Sequence, residues 1–199
     1  MVRSFIRSRV RRFFSEESGS STIELVIVLP IMCWVYAAML VYFDGFRYSS
    51  IAEKATYVVG DMISREQNYI TPRYLSNMHQ TYRFMAGSHE VPQIRVTVFY
   101  YDEANDRYRR VWSRNRGGAG NLNNNALNSE DVTEHIPLMY DGEILILTQT
   151  WTKWKPFLNF GFTEKTFEYN IVTRPRGTGN ICWSTDSDNP DPTNSTCPI

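Results

Sequence analysis

The sequence predicts an α+β protein: a long N-terminal helix, apolar in its first half, that packs its second half against a small antiparallel β-sheet. Three observations carry this. Residues 25–43 form a run of 19 residues without a formal charge, enough helix to cross a bilayer core of about 30 Å. Beyond the run, Ile51, Ala55, Val58, Val59, Met62 and Ile63 recur at helical spacing, with Glu53, Lys54, Asp61 and Arg65 between them. The helix therefore continues in amphipathic form. Further on the period changes to two in several segments, the alternation of half-buried strands.

Taken in order, one helix is expected from about residue 21 to about residue 66. Pro30 lies inside it and should loosen or kink the first turns, which a membrane helix tolerates. Tyr42, Phe43, Phe46 and Tyr48 fall near the outer end of the apolar run, where aromatic rings anchor well. A shorter helix is expected after Thr71-Pro72, to about residue 85. Residues 94–101 set Ile94, Val96, Val98 and Tyr100 against Arg95, Thr97 and Phe99, and residues 108–113 return after a turn as the second arm of a hairpin. Residues 117–128, rich in Gly and Asn, are expected to be a mobile surface loop, and residues 131–140 a short helical turn at most. Residues 143–154 read as the clearest strand, closed by Pro156, and residues 165–173 as its partner. Four antiparallel strands laid over the amphipathic half of the helix bury both apolar faces.

The chain has 199 residues and zero formal net charge, room for one membrane segment and one soluble domain. The zero hides an asymmetry. Residues 1–19 carry Arg3, Arg7, Arg9, Arg11 and Arg12 against Glu16 and Glu17, and the remainder is mildly acidic, which gives no reason to expect nucleic-acid binding. Arginines on the N-terminal side of the span place that end in the cytoplasm and the C-terminal domain outside it. A cleaved secretory signal is the rival reading. Its apolar region would run about 7–15 residues to a small-x-small site, and residues 42–46 offer no such site.

Cys33 lies inside the apolar run, whereas Cys182 and Cys197 are 15 residues apart near the C-terminus. In an oxidising compartment this pair is expected to form a disulfide, worth about 3 kcal/mol. The alternatives are two unpaired thiols or a metal pair, and no matching Cys or His spacing favours a metal. His79, His89 and His135 are isolated, and residues 186–191 offer carboxylates without the Gly and distal Glu of a calcium loop. No nucleophile elbow, phosphate-binding glycine loop or paired catalytic carboxylates stand out. The chain reads as a non-enzyme without cofactor or metal. Glu24 is the exception in an apolar setting, where a carboxylate is costly and usually functional. The plain reading is a carboxylate complementing the dipole at a helix N-terminus.

Residues 19–30 follow a basic leader with Gly19, then Glu24 five residues on, then Leu- and Val-rich sequence to Pro30. In this the chain resembles the TadE/TadF-like pseudopilins of the tight adherence (Tad, or Flp) type IV pilus system. Weaker matches are residues 144–154 with Lys155-Pro156-Phe157-Leu158, and the closing Arg174-Pro175-Arg176. The resemblance implies cleavage by a prepilin peptidase between Gly19 and Ser20, and residence in the bacterial inner membrane with a periplasmic head. It also implies a role in assembling or initiating the pilus. Glu24 would then pair with the freed α-amino group of Ser20 on a neighbouring subunit. The implied partners are the peptidase, other pilins or pseudopilins of the system, the inner-membrane assembly platform and membrane lipid. The implied divisions are a leader over 1–19, a transmembrane helix over 20–44, its amphipathic extension over 45–66, a head over 67–181 and a disulfide loop over 182–199. The major Flp pilin is little more than its helix, so a head of this size suits a minor subunit. A pseudopilin of a type II secretion machine, or a single-pass membrane protein with a ligand-binding periplasmic head, are the alternatives.

Overall fold

The computed structural model describes residues 20–88, 90–158, 161–177 and 181–198. Gly19, the leader arginines and His89 lie outside the described residues. The fold is α+β, and its spine is α1, a helix of 45 residues (Ser20–Ser64) that runs through Pro30. α2 (Pro72–Ala86) starts where expected: the Thr71 side chain accepts a hydrogen bond from the Tyr74 amide, Pro72 opens the first turn, and Gly87 ends the helix at φ 61°. Its buried face is Leu75, Met78, Tyr82 and Ala86.

Four long strands follow: β1 (Gln93–Asp102), β2 (Arg107–Arg116), β3 (Ile144–Trp154) and β4 (Lys165–Thr173). They form one antiparallel sheet in the order β2-β1-β3-β4. The β1–β2 register shifts between Val98 and Phe99, where Val98 pairs with Trp112 and Phe99 with Arg110. The extra residue, Val111, turns both itself and Trp112 towards the helices.

α1 crosses β3 and β4 on a face of small residues, Ala52, Ala55, Thr56, Val59 and Gly60, ending at Ile63. A methyl group added at Gly60 would touch Thr173, Ile171 and Thr148, which shows how closely helix and sheet approach. Two pairs of buried hydroxyls bridge this contact, while the Thr148 and Thr173 hydroxyls beside Gly60 have no hydrogen-bond partner among the described residues. Thr56 Oγ1 donates to the Ala52 carbonyl and lies 2.7 Å from Thr150 Oγ1, and the Tyr82 hydroxyl lies 2.6 Å from Thr152 Oγ1. At the top, the Arg176 amide donates to the Ser64 carbonyl and its guanidinium reaches Asp61 at 3.3 Å. Arg174 pairs with Glu143 at 2.9 Å, so both arginines of the closing Arg-Pro-Arg motif brace the exit from β4.

Two sequence expectations are corrected. Val58 and Met62 do not face the sheet: they are 41% and 37% exposed, on the outer side of α1. The true inner stripe includes Thr56 and Gly60, which hydropathy does not mark, and it lies one residue round from the stripe that Val58 suggests. The segment 117–140 is also more than a surface loop and a turn. It forms α3 (Asn124–Leu127) and α4 (Glu130–Thr133), and its Leu122, Leu127, Val132 and Ile136 bury Phe99, Leu145 and Leu147 on the second face of the sheet. Its asparagines serve the edge of β2: Asn124 Oδ1 accepts from the Arg110 amide, and the Asn128 side chain bonds both the amide and the carbonyl of Tyr108. Edge backbone groups are thereby satisfied without another strand.

Val59→Asp should destabilise the head by several kcal/mol, since it buries an unpaired carboxylate between helix and sheet. Val58→Asp and Lys54→Asp should leave it near wild type. Urea unfolding of detergent-solubilised protein, followed by tryptophan fluorescence, checks this; equal loss at 58 and 59 would contradict the packing.

Candidate functional site

Apart from Val41, which is fully buried near its upper end, the lower half of α1 is left largely uncovered by the described residues. Leu25, Val26, Ile27 and Val28 are 62%, 66%, 57% and 43% exposed, and four successive residues look in every direction around a helix. Among the described residues no face of the stretch 22–36 is packed. α1 is the one helix among the described residues long and apolar enough to cross a membrane.

Ser20 is the first described residue of α1, and Glu24 stands one turn further on, exposed. Among the described residues Glu24 forms no ion pair. Gly19 lies outside the described residues.

Where the bare half ends, the head grips the helix. The Trp154 indole donates to Asp44 Oδ2 at 2.9 Å, and the Tyr48 hydroxyl donates to the Lys153 carbonyl. The Tyr169 hydroxyl donates to the Ser49 carbonyl and accepts from the Ser49 hydroxyl at 2.7 Å. A Cβ at Gly45 would stand 3.3 Å from the Trp154 ring, so the glycine lets the ring lie against the helix backbone. Beside this junction is an open cleft of about 740 Å³ lined by Asp44, Arg47, Tyr48, Lys153 and Phe157. Sequence reasoning missed the clamp. Its only signal is that Asp44 and Gly45 follow the apolar run at once, and nothing in the sequence pairs them with Trp154.

Cys182 and Cys197 are bonded, with an S–S distance of 2.05 Å. Their segment is built into the head. β5 (Trp183–Ser184) pairs with β6 (Ser195–Thr196), and Ile70 exchanges backbone bonds with Cys182 and Ser184. Ile181 and Trp183 join the helix-side core, and the Trp112 indole donates to the Ile181 carbonyl. Cys33 is free and exposed on the bare helix.

The acidic run beside the disulfide uses its oxygens locally. Asp186 Oδ1 accepts from the amides of Asp188 and Asn189, and Asp188 pairs with Arg73. Asp191 caps the short turn Pro192–Asn194, and hydrogen bonds from the Thr193 hydroxyl and amide hold its carboxyl below the usual range. No group of three or more His, Cys, Asp or Glu able to hold a metal occurs among the described residues. His79 bonds the Pro92 carbonyl at 2.7 Å, and His135 is exposed.

No family model, curated protein or solved structure matches this chain. The class its own features define is an α+β head carried on a single membrane-competent helix.

Thiol labelling of denatured, unreduced protein should modify Cys33 alone. Reduction should expose two further thiols and lower the stability of the head by about 3 kcal/mol. Three reactive thiols before reduction would contradict the bond.

Proposed function

We propose that the protein is a minor pilin or pseudopilin of a Tad (Flp) type IV pilus, processed between Gly19 and Ser20 and held in the bacterial inner membrane by α1. The observation that carries the reading is the bare, uniformly apolar half of α1, marked by one carboxylate and continuous with the helix that forms the spine of the head. A plain anchor needs no Glu24. A helix that bundles with its neighbours does. Cleavage leaves a new amine on Ser20, and Glu24 stands about 6 Å along the helix from it. Two parallel helices shifted by about one turn then bring the amine of one against the carboxylate of the other. The ion pair offsets the desolvation of both charges and sets the axial step between subunits. The head stays outside the cytoplasm, where the disulfide survives.

The mature chain should begin at Ser20, read by N-terminal sequencing of membrane-extracted protein. A start at Met1, or beyond residue 43, contradicts the proposal. Glu24→Gln should leave insertion and leader removal intact but sharply reduce surface piliation, since a buried amine without its counter-charge costs several kcal/mol. Were Glu24 only a cap, the same change would cost about 1 kcal/mol or less and piliation would be normal.

A further inference from the structure

The base of the head carries apolar side chains that nothing among the described residues covers. Phe157 is 59% and Leu158 42% exposed, directly after β3 in the connection to β4. Val91, just before β1, and Phe84, in the last turn of α2, are exposed as well. Chain direction brings these positions to one end of the molecule. β3 runs against α1, so that Thr150 meets Thr56, Lys153 meets Tyr48 and Trp154 meets Asp44. Phe157, the end of α2 at Ala86 and Gly87, and Glu90 share one cleft with Asp44.

Asp44 is the first charge after the apolar run. The 19 residues of that run rise about 28 Å as a helix, close to the thickness of a bilayer core. With the run in the membrane, Asp44 and whatever is level with it stand in the headgroup region. The side chains at that level have the composition of an interface. Tyr42, Phe43 and Phe46 join the bare helix to the Trp154 clamp without a break. The charges around them are balanced, Lys153 against Glu90 and Lys155 against Glu164, so the surface presents apolar side chains within a neutral polar rim. A soluble partner would have to enter the headgroup plane to reach them.

We propose that the base of the head is a membrane-seating surface. Phe157 and Leu158 enter the boundary between headgroups and acyl chains of the leaflet from which α1 emerges, and the head rests on the phospholipid bilayer. This inference rests on the membrane-spanning reading of α1.

The test uses the full chain in phosphatidylethanolamine–phosphatidylglycerol liposomes, with Cys33→Ser as background and the disulfide intact. A nitroxide is attached in turn at Leu158→Cys, Phe43→Cys and Leu138→Cys, the last at the opposite end of the head and 96% exposed. At 158 and 43, collisions with oxygen should exceed those with a water-soluble nickel chelate; at 138 the order should reverse. Nickel-dominated collisions at 158 with lipid-like behaviour at 43 overturn the seating and leave the span standing. Nickel-dominated collisions at 43 overturn the span and the seating with it. A label at 158 shielded from both reagents and broadened by a second nitroxide means that another copy covers the base, which also overturns the proposal.

Discussion

The inner face of α1 can lie on β3 and β4 only because its side chains are small. Ala52, Ala55, Thr56 and Gly60 leave room for the sheet to approach the helix backbone, and that close approach is what the rest of the head is built around. Bulkier residues would lift the helix and separate the hydroxyl pairs between Thr56 and Thr150 and between Tyr82 and Thr152. They would also pull Trp154 away from Asp44. The bonds from Asp44 to Ser64 follow about 30 Å of helix, so head and upper helix move as one body.

The same helix is left largely bare below Val41, and magnitudes show why that surface needs a cover. More than a dozen large apolar side chains are exposed there. Each forfeits about 1.5–3 kcal/mol relative to full burial, which sums to tens of kcal/mol against a folding stability of about 5–15 kcal/mol for a typical domain. Leaving this half of the helix in water is strongly disfavoured. Lipid and the helices of other proteins are both apolar enough to replace it, and the proposed pairing of Glu24 with a freed amine would place a protein neighbour beside that end of the helix.

Much of this organisation was legible in the sequence for physical reasons. A long uncharged run, a Thr-Pro helix start and strands that alternate are local signals, and α1, α2 and the four long strands follow them closely. The Cys182–Cys197 bond was legible too, since the third cysteine lies in the apolar run. What could not be read depends on contacts distant in sequence. The inner stripe of α1 is marked by Thr56 and Gly60, whose role shows only when the sheet lies against them. The second face of the sheet has a faint trace in the unbroken Ile144-Leu145-Ile146-Leu147 run, which suits burial on both sides. Its cover, a Gly- and Asn-rich segment, reads as loop because its asparagines act as backbone substitutes along β2. The clamp between Asp44 and Trp154 joins residues 110 apart. The Glu24 site is the reverse case. It is prominent in the sequence, and the fold contributes its exposure on a stretch of α1 that no other described residue covers.

The central claim is that one helix lives in two environments, and Cys33 reports on it directly. It lies nine residues beyond Glu24 and ten before Phe43, about 14 Å from either end of the apolar run, and the fold itself leaves it exposed. In sealed and in gently permeabilised membrane vesicles containing the full chain, a membrane-impermeant maleimide should leave Cys33 unmodified from both sides. Labelling should appear only after denaturation in detergent. Rapid modification of Cys33 in intact vesicles would contradict the account, because it would place in water the half of α1 that the account puts in the membrane.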